Sequence, residues 1–175
     1  MNRPLLAGLC TLLLLPAIAA AAEAASAPRW LEVRNLHNGE SLTVRWGEDN
    51  RLDADALARL KHVLRDRRSG AERDMDPALF DLLVDLASDA GVEPRYEIIS
   101  AYRSPETNAK LHARSSGVSE KSLHMQGRAI DVRLRGVDTR RLAALARSLA
   151  RGGVGVYPDD GFVHVDTGRV RQWEG

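Results

Sequence analysis

Residues 122–134, SLHMQGRAIDVRL, place His124 and Asp131 seven positions apart and enclose Asp131 between Ile130 and Val132. An uncompensated carboxylate within an apolar strand is costly. Strand alternation separates the two requirements: Ile130 and Val132 share one face, and Asp131 takes the other. The segment FVHVD at 162–166 divides in the same way, with Val163 and Val165 opposed to Phe162, His164 and Asp166. If these two strands are neighbours, their valines share a core and Asp131, His164 and Asp166 share the opposite face. His124, in a loop just upstream, can swing over that face.

Working outward, RWLEVRNLHNGESLTVRW alternates apolar residues on both sides of Asn38-Gly39, a pair that favours a tight hairpin. This predicts strands over Trp30–Leu36 and Ser41–Trp46. Asp53 reads as the N-cap of a helix reaching about Arg67, with Leu57, Leu60 and Leu64 on one stripe. Asp76-Pro77 opens a second helix that ends near Gly91. YEIISAYRS is strand-like, Pro105 starts a short helix, and SSGVSEKS forms a polar loop before His124. After the strand at 128–134 come a helix over Asp138–Arg151 and two short strands, VGVYP and FVHVD. The pattern predicts an α+β fold, with helices packed on one side of a small antiparallel sheet.

Of the 175 residues, 44% are hydrophobic and 28% charged, with a formal net charge of +1. That composition suits one globular domain and argues against a nucleic-acid partner, which calls for a basic excess. The first residues differ: Arg3, an apolar run from Leu5 to Ile18, and small residues with an A-x-A pattern predict a secretory signal over 1–24, cut between Ala20 and Ala25. The run is short for a membrane span, so no stable membrane insertion is expected after cleavage. The one cysteine, Cys10, lies within this segment. The exported part, 25–175, therefore has no disulfide available and must rely on its core, with a metal as the other available staple. It divides into an N-terminal hairpin and helices over 29–91 and a metal-site core over 96–173.

Two imidazoles and a carboxylate suit Zn²⁺, with a fourth position left for water as in catalytic sites. A divalent cation would also compensate Asp131. Spacing alone admits another reading, in which His164 is an ordinary hydrogen-bonded histidine and Asp131 faces solvent. His37, His62 and His112 sit in polar surroundings and read as solvated.

The pattern S-x-H-x2-G-x-A-x-D at Ser122, His124, Gly127, Ala129 and Asp131 resembles the zinc-binding signature of the D-alanyl-D-alanine peptidases that share a fold with the hedgehog signalling domain. SAYRS resembles the Ser-x-Tyr-Arg element of those enzymes, and FVHVDTGRVRQW supplies the last histidine. Together they look like the murein endopeptidase K-type subgroup, over roughly Tyr96 to Trp173. The resemblance implies a periplasmic zinc peptidase acting on peptidoglycan. His124, Asp131 and His164 would be the metal ligands; Arg103 would bind substrate or stabilise the oxyanion; and Ser122 would orient the loop and contact substrate. Gly127 would permit the turn after the first ligand. The expected reaction is hydrolysis of D-alanyl-diaminopimelate cross-links. The alternatives are a zinc D,D-carboxypeptidase that trims stem peptides and an inert zinc-bound wall-binding module.

The general base departs from the family's pattern. The positions where relatives carry glutamate or histidine are Gly161 and Phe162. Asp166 is the leading replacement, two residues beyond His164 on the same face, unless it instead holds a histidine tautomer. Asp159 and Asp160 follow, although PDDG also reads as an ordinary turn.

Overall fold

The computed structural model describes residues 29–115 and 117–175, so the expected signal segment lies outside the described residues. Strands β1 (Trp30–Asn35), β2 (Ser41–Arg45), β3 (Arg95–Ser100), β4 (Ala129–Leu134), β5 (Gly153–Tyr157), β6 (Phe162–Asp166) and β7 (Arg171–Glu174) form one sheet in the order β2-β1-β3-β4-β6-β5-β7. The helices are α1 (Ala54–Val63), α2 (Pro77–Ala90), α3 (Pro105–His112) and α4 (Thr139–Leu149).

All four helices begin with the same device. Asp53, Asp76, Ser104 and Asp138 each accept a hydrogen bond from a backbone N–H in the first turn, and Pro77 and Pro105 supply a preset φ just inside α2 and α3. Gly91 closes α2 in the left-handed conformation at φ 70°. Helix α1 stops at Val63, short of Arg67, and the Leu64 carbonyl accepts from Tyr102 N–H at 3.1 Å just beyond β3.

The α+β class stands, while the sheet is larger than the small antiparallel one expected. The β1/β3 and β5/β7 pairings are parallel, and the other four are antiparallel. Helices α1 and α2 intervene between β1 and β3, which gives the chain room to return in the same direction. The Asn38-Gly39 turn spans residues 36–40 rather than two residues, because Asn35 N–H bonds to the Glu40 carbonyl and β1 ends there.

Ile130, Val132, Val154, Val156, Val163 and Val165 join Phe80, Leu83, Leu86, Leu142 and Ala146 in one buried core. These strand residues alternate with Asp131, Gly155 and His164, so burying the valines turns the polar residues to the other face. Helix α3 stands apart from the one-sided arrangement expected. Its buried residues are Thr107 and Asn108, and Asn108 reaches the Ser119 carbonyl at 3.0 Å in the loop before His124.

A candidate metal centre

The register of β4 on β6 sets Asp131 directly opposite His164, so both side chains leave the same face. Beside them β3 carries an irregularity between Ile98 and Ser100, with Ser100 opposite Asp131. Such a bulge re-aims the chain, and the residues that follow serve the site. The Ala101 carbonyl accepts from His124 Nδ1 at 2.6 Å, and Arg103 N–H donates to the His124 carbonyl at 3.2 Å.

His124 lies on a 3-10 turn, Leu123–Gln126, rather than on an open loop. Ser122 Oγ accepts from His124 N–H at 3.4 Å at its start, and Gly127 ends it at φ 68°. A Cβ at Gly127 would collide with the Asp74 carbonyl oxygen, and Asp76 N–H bonds to the Gly127 carbonyl at 2.8 Å. Gly127→Ala therefore carries both a left-handed backbone cost and a steric one. We expect a loss of about 2 kcal/mol or more, measured by urea unfolding of the metal-free protein.

Among the described residues, His124, Asp131 and His164 form the one group of three His, Cys, Asp or Glu side chains whose ligand atoms all lie within 4.8 Å of one another. All three are buried. His164 Nδ1 is 2.8 Å from Asp131 Oδ1, His124 Nε2 is 3.2 Å from His164 Nδ1, and His124 Nε2 is 3.3 Å from Asp131 Oδ1. Bonds of about 2.0–2.1 Å to a tetrahedral zinc would give edges of about 3.3–3.4 Å. The donor set therefore fits a small divalent cation with little rearrangement.

The far nitrogens of both imidazoles are also committed. Nδ1 of His124 faces the Ala101 carbonyl, and Nε2 of His164 faces Asp166 Oδ2 at 3.1 Å. Donation to these acceptors leaves a lone pair on Nε2 of His124 and on Nδ1 of His164, the two atoms that converge on Asp131.

Asp166 does not stand free as the expected base. It is 0% exposed. Its Oδ1 accepts from Gly153 N–H at 2.9 Å and Gly168 N–H at 2.8 Å, and its Oδ2 meets His164 and Arg171 Nη2, the latter at 2.7 Å. Those partners use its lone pairs and close its path to solvent. Asp159 and Asp160 are exposed in the turn between β5 and β6 and do not line the cavity over the cluster.

Burial pushes His164 down, but hydrogen bonds to Asp131 and Asp166 outweigh it and raise its pKa to about 9. Burial likewise pushes Asp131 up, and it is more than offset by the charge of His124 and by hydrogen bonds to both histidines, which hold Asp131 well below the usual carboxylate range. The cluster thus favours a positive charge at its centre. A metal must displace the His164 proton, so zinc affinity is expected to rise about tenfold per pH unit below about pH 9, as measured by competition with a chromophoric chelator. In the metal-free protein the raised His164 pKa adds stability that is full below about pH 6.5 and lost as the pH rises through about 9. Its melting temperature should fall across that window.

The cluster opens into a cavity of about 430 Å³ lined by Arg103, Ser122, Tyr157, Phe162, Arg171 and Trp173 among others. Arg103 Nη2 lies 3.9 Å from Asp131 Oδ2 and 3.4 Å from Ser100 Oγ, while its buried Nε has no partner among the described residues. Ser122 lines the cavity, with its hydroxyl turned to the His124 amide. His37, His62 and His112 lie outside the cluster, bonded to Ile99 O, Glu72 and Val118 O.

The floor beyond His164 is built by β7, a strand not expected from the sequence. Trp173 pairs opposite Gly155, and a Cβ on Gly155 would strike its ring. The indole therefore lies 5.1 Å from the His164 ring and donates from Nε1 to Tyr157 Oη at 2.9 Å. The glycines at 153 and 155, alternating with Val154 and Val156, were the available signal for a close approach by another strand.

Comparison with known proteins agrees with this geometry. A family described as Peptidoglycan L,D-endopeptidase MepK matches residues 23–173. The chain belongs to this family. It is 40% identical over 160 residues to the peptidoglycan L,D-endopeptidase MepK of Escherichia coli K12, covering 91% of this chain and 88% of that protein. A probable peptidoglycan L,D-endopeptidase MepK of Haemophilus influenzae is 39% identical over 149 residues, covering 85% and 80% respectively. No solved structure matches the chain. The family is generally metal-dependent, in keeping with the cluster on β4 and β6.

Proposed function

We propose that the chain, as one peptidase domain over residues 25–175, is an exported, zinc-dependent murein endopeptidase. It is a peptidase that acts on peptidoglycan, and its site of action is extracytoplasmic. Periplasmic delivery by a cleaved signal over 1–24 completes that reading. No helix among the described residues is long and apolar enough to cross a membrane.

The convergence of His124 Nε2, Asp131 Oδ1 and His164 Nδ1 at 2.8–3.3 Å, with both remaining imidazole nitrogens held by acceptors, carries the zinc assignment. Bound zinc supplies Lewis acidity and lowers the pKa of water. Asp166, with Arg171 behind it, holds the His164 tautomer. Arg103 aims an incompletely bonded guanidinium into the cavity, where it binds the substrate carbonyl and stabilises developing negative charge. Besides the three ligands, the ionisable side chains lining that cavity are Arg103, Lys121, Tyr157 and Arg171. No carboxylate is among them, so proton transfer falls to the Tyr157 hydroxyl or to solvent.

The relatives' names specify an L,D bond, with an L centre on the acyl side. The D-alanyl linkage expected from the sequence has a D centre there. We therefore assign this chain an L,D bond within the cross-linked stems. Digestion of purified sacculi, with products identified by mass spectrometry, tests the assignment. Loss of L,D-linked dimers is expected. Trimming of terminal D-alanine alone would make the enzyme a carboxypeptidase, and binding without release would make it an inert wall module.

A further inference from the structure

The cavity over the metal cluster continues past it. A second cavity of about 650 Å³ shares Arg103, Val118, Asp131 and Phe162 with the first, so the two are lobes of one cleft joined beside Asp131. A substrate cut internally must extend on both sides of the scissile bond, and this cleft has room on both sides.

The outer wall of the second lobe is the segment after α1, Arg65–Arg68. Arg65 is committed to Glu40, with both terminal nitrogens 2.7 Å from its carboxylate oxygens. Asp66 is buried and turned inward, accepting from Arg68 N–H at 2.9 Å and Ser104 N–H at 2.8 Å. Arg67 and Arg68 are exposed and have no ion-pair partner among the described residues. Partial burial, together with the charges of Arg67, Arg103 and Arg114, lowers the pKa of Arg68, with Asp66 offsetting part of the effect. Arg67, Arg68 and Arg103 all line this lobe, so three guanidinium groups face one cleft. The acidic groups of this lobe without an ion pair among the described residues are Asp66, turned inward to backbone amides, and the exposed Asp160. An anion entering the lobe would meet these cations together, and neighbouring guanidiniums suit the planar fork of a carboxylate.

We propose that the second lobe is a carboxylate subsite, in which Arg67 and Arg68 hold a free carboxylate of the substrate peptide on the side of the scissile bond away from Trp173. This rests on the peptidase reading above. The subsite contributes to substrate binding at a distance from the reacting bond, so its loss should appear in KM rather than kcat.

The test compares the zinc-loaded wild type with Arg67→Ala/Arg68→Ala on a cross-linked muropeptide dimer and on the same dimer with its carboxylates amidated. The double variant should keep its zinc and a kcat within about threefold of wild type, with KM raised about tenfold or more on the free acid. Amidation should raise the wild-type KM by a similar factor and leave the variant nearly unchanged. A variant KM within about twofold of wild type, or an equal response of both proteins to amidation, would overturn the subsite. If wild type cleaves neither dimer, the peptidase reading itself fails, and the subsite with it.

Discussion

His164→Ala protein is expected to bind no zinc and to release soluble muropeptides from sacculi at least about 10³-fold more slowly than wild type. The substitution removes one of three buried donor atoms and leaves Asp131 with a single imidazole. It thereby forfeits several kcal/mol of Lewis-acid assistance, at about 1.4 kcal/mol per factor of ten. His124→Ala should behave alike. Metal analysis by plasma mass spectrometry, alongside circular dichroism to confirm folding, reads the outcome. A folded His164→Ala protein with one zinc and wild-type turnover would remove this residue from the metal centre.

The second large effect is at Asp166. Its carboxylate satisfies two backbone amides, one imidazole and one guanidinium in a fully buried position. Asp166→Ala leaves those donors without a partner, and while Arg171 and Gly168 are partly exposed and can turn to water, the buried Gly153 N–H and His164 cannot. We expect a loss of about 3 kcal/mol in unfolding free energy. Asp166→Asn separates positioning from proton transfer. An amide nitrogen facing His164 Nε2 favours the tautomer with its proton on Nδ1, the atom needed for the metal. Zinc affinity should drop about 10–100-fold, and excess zinc should restore most of the hydrolysis. Persistent inactivity in a fully zinc-loaded Asp166→Asn protein would return Asp166 to the role of base.

Much of the site follows from alternation on two short segments. Valines and isoleucines at every second position of β4 and β6 had to face a core, which forced Asp131 and His164 onto one opposite face. Asp53, Asp76-Pro77 and Pro105 likewise marked helix starts, because a capping side chain or a first-turn proline is a local device. What was not legible depended on partners distant in sequence. The parallel β5/β7 pairing joins residues 153–156 to 171–174, and RQWE is too short to show a period. Without that strand, Asp166 reads as an outward carboxylate beside the metal. Arg171 and the amides of Gly153 and Gly168, all brought by tertiary contact, convert it into a buried anchor for His164. The second lobe of the cleft was hidden for the same reason, since Arg67 and Arg68 come to line one cavity with Arg103 only once the segment after α1 folds beside the residues following β3.

The central claim is that the cluster on β4 and β6 is a zinc centre that hydrolyses peptide cross-links. It is tested most directly by stripping the purified protein with chelator, restoring one equivalent of zinc, and following cross-linked dimers in sacculi at each stage. The account predicts that the stripped protein leaves the dimers intact and that a single zinc per chain restores their cleavage at an L,D bond. Equal cleavage by the fully stripped protein, with metal analysis confirming less than a trace of zinc, would contradict it.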